Sequence, residues 1–390
     1  MLKNLVICCD GTKNEFGPEN TNVVRLIQAL DRDPTRQLIY YDPGIGTLPE
    51  PGWVSAAGKK VSEILGLAFG AGLLWKVGAA YSYLMDFWEP GDRVFLFGFS
   101  RGAYSVRVLA ALLHSLGLLP RGNHNLVPYL LRLFRAAPSG QTAESIKSGT
   151  NYWKLSNQFR KTFARTVTGA TDENRRFVIH FLGIWDTVSS VGWVWDPKSF
   201  PYTSSNPSVL VVRHAIAIDE RRAFFRQNRL FPAEGQDLKE YWFPGVHADI
   251  GGGYPNTSED GSLWKVPFEW MIEQAREFHL LIDNDRLTKL IAQLPGSDKP
   301  WNDSIHNSMT LAWLPAECFP KWHWAADRQK RVLRLGMGRS RTIEKGAMIH
   351  WSALRRIRET NYSPRNMSAT FLEKVGHHAT QLPDAMPYED

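Results

Sequence analysis

The feature that most constrains the fold is a repeated alternation between short apolar runs and segments whose apolar residues recur at helical spacing. Because the apolar runs are nearly continuous, they predict strands buried on both faces, which is typical of a parallel sheet covered by helices. The runs are Asn4–Cys9, Gln37–Tyr41, Arg93–Phe99, Arg176–Trp185 and Glu240–Val246, and the helical segments are Asn22–Leu30, Gly78–Trp88, Ala103–Leu116 and Val209–Phe225. The chain is therefore predicted to have an α/β fold, with a mostly parallel central sheet and helices on both faces.

Polar residues with catalytic potential follow these predicted strands. Asp10, Asp42, Ser100, Asp186 and His247 each stand at or just beyond the end of one of the five runs. In parallel sheets the functional groups gather beyond the carboxyl ends of the strands. We therefore expect the functional site to lie at this edge of the sheet.

The chain is long enough for one large domain with an extension. Residues 1–300 are predicted to form a catalytic domain, in which residues 121–175 interrupt the alternation with a helical, basic and aromatic insertion. Such an insertion either caps the cleft or is a surface excursion, and the sequence leaves both interpretations open. The pattern then loosens, and residues 301–390 are predicted to be an extension packed on the catalytic domain.

Composition and charge exclude several classes of protein. Of the 390 residues, 43% are hydrophobic and 22% are charged, and no apolar stretch reaches the roughly 18 residues that a membrane-spanning helix needs. The three cysteines indicate neither a disulfide framework nor a zinc site. The net charge of +7 is dispersed without a nucleic-acid-binding motif, so we expect no nucleic-acid partner. The N-terminus lacks a signal peptide, which predicts cytoplasmic synthesis and, for any export, a signal-independent route.

The most specific motif is Gly98-Phe99-Ser100-Arg101-Gly102, which matches the G-x-S-x-G nucleophile elbow. A predicted strand precedes it and a predicted helix follows it, as this motif requires. A Cβ atom at Gly98 or Gly102 would obstruct the close approach of the strand and the helix, which explains the two glycines. Ser100 is therefore a predicted nucleophile at a helix N-terminus, where N–H groups, among them that of Arg101, favour an oxyanion.

A serine nucleophile needs a base, and His247 is the best candidate among the eleven histidines. It follows a strand-like run and precedes the segment Ala-Asp-Ile-Gly-Gly-Gly, so it lies on a loop that is free to approach the cleft. His306 and His350 are rivals whose surroundings are equally typical of packing. We therefore predict that His247 is the general base.

Asp186 is the predicted third member of the site because it follows a strand at its carboxyl end. Its position between Ser100 and His247 reproduces the Ser–Asp–His chain order of α/β-hydrolases. Its carboxylate would hold His247 in the required tautomer and stabilise the imidazolium. Asp249 is the rival, but it is only two residues from His247, where its side chain is better placed to fix the loop.

The Asp10-Gly11-Thr12 turn after the first strand is predicted to supply a second oxyanion N–H, from Gly11 or Thr12, with Asp10 bracing the loop. A phosphatase motif of the D-x-D-G-T type is excluded because Cys8 stands where the nucleophilic aspartate is required. A metal site is a weaker alternative, and it would use Asp10, Asp186, His247 and Asp249. The prediction includes no metal and no other cofactor.

Six stretches, in the same order, resemble the α/β-hydrolase family of type VI secretion phospholipase effectors, a lipase class with G-x-S-x-G. They are Leu5–Asn14, Tyr41–Thr47, Pro90–Arg107, Gly183–Val188, His214–Arg222 and Phe243–Tyr254. The resemblance covers about residues 3–260 and extends to uncharacterised stand-alone bacterial members. It implies an α/β-hydrolase-like fold and a serine esterase that acts on phospholipid acyl esters through Ser100, Asp186 and His247. Lys13 departs from the family's first motif, in which Gly or Trp stands at this position.

The residues and the resemblance together predict a serine hydrolase that cleaves the carboxylic esters of phospholipids or other lipids. A thioesterase or acyltransferase with the same triad is one alternative, and a catalytically degenerate hydrolase fold that only binds is another. The expected partner is a lipid or ester substrate, and the tryptophans at loop positions are compatible with peripheral contact to a membrane surface.

Overall fold

The structure is a computed structural model that describes most of the chain. The described residues are 2–11, 17, 19–44, 69–138, 143–165, 176–188, 192–193, 196–197, 200–255, 261–293, 298–310, 313, 317–318, 321–325, 330–377 and 382–389. The predicted oxyanion donor Thr12 lies outside these residues, as do parts of the predicted insertion and extension.

In the described part of the chain, twelve strands form one large sheet and two small pairs. They are β1 (Asn4–Cys9), β2 (Gln37–Asp42), β3 (Arg93–Phe99), β4 (Ile179–Trp185), β5 (Gly192–Trp193), β6 (Asp196–Pro197), β7 (Val209–Ala217), β8 (Asp237–Phe243), β9 (Lys321–Ala325), β10 (Lys330–Arg334), β11 (Met348–His350) and β12 (Ala385–Pro387). The large sheet has the order β12-β11-β8-β7-β4-β3-β1-β2, and its neighbouring strands are parallel except for β11 and β12. The predicted mostly parallel α/β fold is confirmed.

Helices cover both faces of this sheet. They are α1 (Asn22–Ala29), α2 (Phe69–Phe87), α3 (Arg101–Leu116), α4 (Val127–Arg135), α5 (Ala143–Phe163), α6 (His247–Gly251), α7 (Lys265–Glu277), α8 (Asn284–Gln293), α9 (Trp351–Glu359) and α10 (Ala369–Gly376). Leu5 and Ile7 of β1 are buried in a core shared with α2 and α3, whereas Val6 and Cys8 are buried in a core shared with α1 and α7. Successive strand side chains point to opposite faces, so a two-sided core requires nearly continuous apolar runs. Among the described helices, none is long and apolar enough to cross a bilayer.

One predicted helix is wrong. Residues 209–225 begin with β7, a strand paired with β4 on one side and β8 on the other, and they continue as a loop from residue 218. Val209, Val211 and Val212 are buried β-branched residues, which favour a strand. A short run that is buried on both faces lacks the alternation that would distinguish a strand from a helix in the sequence.

The predicted insertion at residues 121–175 forms an outer helical layer where the structure describes it. Near its end α5 meets the C-terminus of α3, since a Cβ atom at Gly117 would lie 2.6 Å from Ala164 Cβ. The 16 residues of α3 place this contact about 24 Å from Ser100, at the other end of the helix. This contact concerns only the end of α5, so both interpretations of the insertion, a surface excursion and a cap over Ser100, stay predictions. The core that α2 and α3 line also contains buried apolar residues of the insertion, among them Leu130, Phe134, Tyr152 and Phe159.

The predicted extension at residues 301–390 continues the central sheet. β11 pairs in parallel with β8, and β12 then pairs antiparallel with β11. Ile216 of β7 and Trp242 of β8 share a core with Ile349 of β11 and Phe371 of α10. The extension therefore shares both a sheet and a core with the preceding residues.

Candidate active site

A strand–turn–helix elbow places Ser100 at the carboxyl edge of the sheet. β3 ends at Phe99, α3 begins at Arg101, and Ser100 lies between them with φ 58° and ψ −122°. Such a conformation costs a residue with a side chain on the order of 1–3 kcal/mol. Two backbone hydrogen bonds hold it: the Ser100 N–H donates to the Trp185 carbonyl at 3.1 Å, and the Val188 N–H donates to the Ser100 carbonyl at 3.2 Å.

The two glycines of the elbow are required by close contacts between strand and helix. A Cβ atom on Gly98 would lie 2.7 Å from the backbone of Ala103 in the first turn of α3. A Cβ atom on Gly102 would overlap the carbonyl oxygens of Cys9 and Asp10 at the end of β1. Because these are backbone atoms, they cannot move aside as a flexible side chain can, and α3 would have to shift away from the sheet.

We therefore expect Gly102→Ala to destabilise the fold strongly. Overpacking costs about 1–3 kcal/mol. Because the backbone around Gly102 is rigid, we expect the free energy of unfolding, measured in urea, to fall by about 3 kcal/mol. Gly376→Ala is the matched control, because nothing lies within 4 Å of a Cβ atom there and alanine is the better helix former. Equal stability of the two variants would show that the elbow tolerates a side chain at this position.

His247 is held in the first turn of α6 between two aromatic rings. Asp249 Oδ2 accepts the Val246 N–H at 2.9 Å, which caps this short helix. The His247 ring centroid lies 4.6 Å from that of Phe99 and 4.7 Å from that of Phe225. The cap and the two rings fix the position of the imidazole at the edge of the sheet.

The three predicted catalytic side chains converge at this edge. His247 Nε2 lies 2.8 Å from Ser100 Oγ, and His247 Nδ1 lies 2.5 Å from Asp186 Oδ2. Asp186 follows β4, the neighbour of β3, so the strand order itself places the carboxylate beside the elbow. The exposed fractions of Ser100, His247 and Asp186 are only 7%, 5% and 1%. Carboxylate, imidazole and hydroxyl thus form a continuous hydrogen-bonded chain, as proton removal from a serine requires.

Arg341, a residue that the sequence analysis missed, binds the other side of Asp186. Its Nη1 lies 2.5 Å from Asp186 Oδ1 and its Nη2 lies 2.9 Å from Oδ2, while the Ala217 N–H donates to Oδ1 at 3.0 Å. Burial alone would raise the pKa of Asp186, but the Arg341 charge and the His247 hydrogen bond outweigh it and lower that pKa well below its usual range. Arg341 is 155 residues from Asp186 in a segment without a motif, so no local pattern signals it.

Burial lowers the pKa of His247 from its usual value. The hydrogen bond and charge of Asp186 oppose this shift, whereas the charge of Arg222 adds to it. Glu220 also faces this residue, since its Oε2 accepts the His247 backbone N–H at 3.2 Å and pairs with Arg222 at 2.9 Å. The imidazole is therefore neutral at neutral pH, which is the state that can take the proton of Ser100.

The rival residues take part in other contacts. Asp249 Oδ1 lies 2.5 Å from His306 Nδ1, and the His306 ring stacks on that of Tyr254. His350 stacks on Phe243, and burial lowers its pKa to about 3. Asp249 therefore fixes the loop and His306, while His350 is a neutral packing residue.

Asp10 lies in a separate hydrogen-bond network at the end of β1. Its Oδ2 accepts the hydroxyls of Thr21 at 2.7 Å and Tyr41 at 3.2 Å, and its Oδ1 accepts the Gly11 N–H at 2.7 Å. The Gly11 amide is thus engaged by Asp10, so its predicted role as an oxyanion donor requires this bond to be exchanged. In the part of the chain that the structure describes, no three His, Cys, Asp or Glu residues converge as a metal ion would need, and Asp10 and Asp249 lie in different networks.

Arg101 is the first residue of α3, and the Ser100 side chain does not cap this helix. The first-turn N–H groups of α3 therefore begin directly after the candidate nucleophile. Burial lowers the pKa of the Arg101 guanidinium to about 10, so the side chain stays charged at neutral pH. The positive end of the helix dipole and a guanidinium are both next to Ser100 in the chain.

The sheet order, the elbow and the hydrogen-bonded serine, histidine and aspartate define an α/β-hydrolase-like protein. The chain belongs to the family described as the catalytic domain of Tle1-like phospholipase effectors of the type VI secretion system (T6SS). The family model matches residues 3–274 of this chain. The family that the sequence resembles is thereby confirmed. The whole extension at residues 301–390, Arg341 included, lies beyond the matched residues.

Three similar proteins illustrate the range of this likeness. An uncharacterised protein of Saccharomyces cerevisiae is 34% identical over 231 residues, which are 58% of this chain and 32% of that protein. The crystal structure of an uncharacterised Pseudomonas aeruginosa protein is 18% identical, with a TM-score of 0.44 over 76% of this chain and 49% of that one. The Tle1 effector bound to the VgrG spike of the type VI secretion system is 19% identical, with a TM-score of 0.33 over 65% and 51%. This chain thus spans about a third of the yeast protein and about half of the other two. With a yeast relative present, a bacterial origin stays a prediction.

Proposed function

We propose that this protein is a serine hydrolase that cleaves the carboxylic esters of lipids. Ser100 is its nucleophile, His247 its general base, and Asp186 the residue that orients the base. The observation that carries the proposal is the hydrogen-bonded chain from Asp186 through His247 to Ser100, with separations of 2.5 and 2.8 Å. The left-handed conformation of Ser100 supports it, because backbone strain of this kind clusters at active sites.

Catalysis would consist of two acyl transfers. His247 Nε2 accepts the Ser100 proton as Oγ attacks the ester carbonyl carbon, and Asp186 stabilises the imidazolium that forms. The imidazolium then donates this proton to the leaving alcohol as the C–O bond breaks, which leaves an acyl-serine. A water that His247 deprotonates attacks the acyl-serine, releases the carboxylic acid and restores the Ser100 hydroxyl.

The oxyanion of the two tetrahedral intermediates would lie at the N-terminus of α3. The Arg101 N–H is the first proposed donor, since it directly follows the nucleophile, and the helix dipole favours negative charge there. The second proposed donor is the N–H of Gly11 or Thr12 in the loop that Asp10 braces. Each such donor typically contributes about 2.7–4 kcal/mol to transition-state stabilisation.

A lipid substrate is supported by the family and by apolar side chains at the site. The family is described as phospholipase effectors, which favours phospholipid acyl esters. Phe225, whose ring lies against His247, also packs edge-on against Trp313 with centroids 5.4 Å apart. These two rings form an aromatic wall next to the base that an acyl chain could contact, and the Arg222 guanidinium carbon packs 3.6 Å from the Phe225 ring centroid.

Peripheral contact with a membrane surface is supported by a loop adjoining this wall. Leu335 and Met337 are 45% and 65% exposed on that loop. Glu317 ties the loop to the segment before Phe225, because its carboxylate accepts the N–H groups of both Ala223 and Gly338. Exposed apolar side chains beside a lipid-cleaving site suit insertion among lipids.

The family's description as secretion effectors supports export of the protein by a signal-independent route.

Covalent labelling with a fluorophosphonate probe tests the proposal. The folded protein is expected to react with one equivalent, and mass spectrometry is expected to place the adduct on the peptide that contains Ser100. Urea-unfolded protein is the control, because a serine without its base reacts poorly. Folded protein that is neither labelled nor active on a nitrophenyl ester would overturn the proposal and favour a binding module. Faster turnover of acyl thioesters than of phospholipid vesicles would instead assign a thioesterase.

A further inference from the structure

We propose that Arg341, which the C-terminal extension supplies, is a positioning residue of the catalytic triad. It fixes the carboxylate of Asp186 and weakens the attraction of that carboxylate for protonated His247. This inference rests on the proposed function, and it gives the extension a direct part in the reaction. Residue 341 lies beyond residues 3–274, so the family match does not include it.

The contact has the geometry of a specific ion pair. Arg341 places two nitrogens of its planar guanidinium on the two carboxylate oxygens of Asp186, at 2.5 and 2.9 Å. Such bidentate pairs are directional as well as strong, so they determine the plane of the carboxylate. Arg341 is 6% exposed and Asp186 is 1% exposed, which shields the pair from water. The carboxylate plane in turn determines where Oδ2 meets His247 Nδ1.

Arg341 is itself fixed on several sides. Its Nε donates to the Phe225 carbonyl at 3.0 Å, and its Nη1 also donates to the Ala217 carbonyl at 3.2 Å. Asn366 Nδ2 donates to the Arg341 carbonyl at 3.0 Å from elsewhere in the extension. The guanidinium therefore cannot follow a moving carboxylate, and it holds Asp186 in one orientation.

The same contact changes the electrostatics of the base. Asp186 favours the imidazolium, but Arg341 neutralises much of this carboxylate's charge at short range. The other charged groups that face His247 are Glu220, which favours the imidazolium, and Arg222, which opposes it. With Arg341 present, His247 stays neutral, and able to act as a base, at lower pH than it would beside Asp186 alone.

The pH profile of kcat/KM for a short, uncharged nitrophenyl ester separates this role from a purely structural one. In the wild type, the acid limb is expected below the ordinary histidine pKa of about 6.5. Arg341→Gln is expected to move the limb upward by about one pH unit, because the carboxylate then stabilises the imidazolium without opposition. The plateau value of kcat/KM for Arg341→Gln is expected to fall about 100-fold, because Asp186 no longer holds His247 in line with Ser100.

Two further variants make the result decisive. Arg341→Lys keeps the charge without the two-pronged contact, so we expect an unmoved acid limb and a lowered plateau. Arg356→Gln is the matched control, since this half-buried arginine of the extension binds the carbonyls of Trp301 and Asp303, and we expect a profile like that of the wild type. Circular dichroism and urea unfolding establish the folded fraction of each variant.

The outcomes separate this inference from the proposed function. An active wild type with an Arg341→Gln acid limb that does not move would overturn the role of Arg341 alone. If Arg341→Gln does not fold, an Arg341→Lys profile identical to that of the wild type would overturn it. A folded wild type that is neither labelled nor active would overturn the proposed function and the inference together.

Discussion

Ser100→Ala is expected to lower kcat for ester hydrolysis by about 10⁶-fold, because removal of a triad nucleophile leaves only the contributions of oxyanion binding and substrate positioning. Alanine has no atom that can attack the carbonyl carbon, so the acyl-serine cannot form. The cost in stability is expected to be small, about 1 kcal/mol for one lost hydrogen bond to His247. Steady-state hydrolysis of a nitrophenyl ester and urea unfolding measure the two effects.

Ser105→Ala is the matched control for this prediction. Ser105 is also a buried serine, 5% exposed, in the first turns of α3, but its hydroxyl donates to the Arg101 carbonyl one turn earlier. Its removal should leave turnover per folded molecule close to that of the wild type. A Ser100→Ala variant that still turns over the ester would exclude Ser100 as the nucleophile, whatever the control shows.

The central sheet and the convergence of the three side chains could be predicted from the sequence because both follow from local patterns. Continuous apolar runs specify strands buried on both faces, and parallel strands bring their carboxyl ends to one edge. Ser100 and Asp186 end neighbouring strands, and His247 follows β8. The contacts of Gly98 and Gly102 also follow from the motif, since the elbow has no room for a Cβ atom on either residue.

The parts that could not be predicted depend on contacts distant in sequence. The apolar pattern of β7 fits a helix as well as a strand until its pairing with β4 and β8 is known. Arg341 reaches Asp186 only because β11 adds to the sheet beside β8 and brings the extension to the site. The hydrogen bond from the Gly11 N–H to Asp10 depends on a side-chain orientation that the sequence does not specify.

Asp186→Asn is expected to lower kcat per folded molecule by about 10⁴-fold. Asp186 Oδ1 accepts hydrogen bonds from the Ala217 N–H and from Arg341 Nη1. Because both partners are donors, the carboxamide oxygen of Asn is expected to occupy the position of Oδ1. Its NH₂ group then replaces Oδ2, so it loses the hydrogen bond from Arg341 Nη2 and faces His247 Nδ1, which must accept a hydrogen bond instead of donating one. The ring proton moves to Nε2, which faces Ser100 Oγ and can no longer take its proton.

Asp249→Asn is the control that distinguishes the two candidate carboxylates. Asp249 caps α6 through the Val246 N–H and binds His306, so its neutralisation is expected to cost about 1 kcal/mol of stability. Because the His247 tautomer is unaffected, turnover per folded molecule should stay far above that of Asp186→Asn. The reverse order of activities, with both variants folded, would assign the orienting role to Asp249 and leave the Arg341–Asp186 pair as a structural contact.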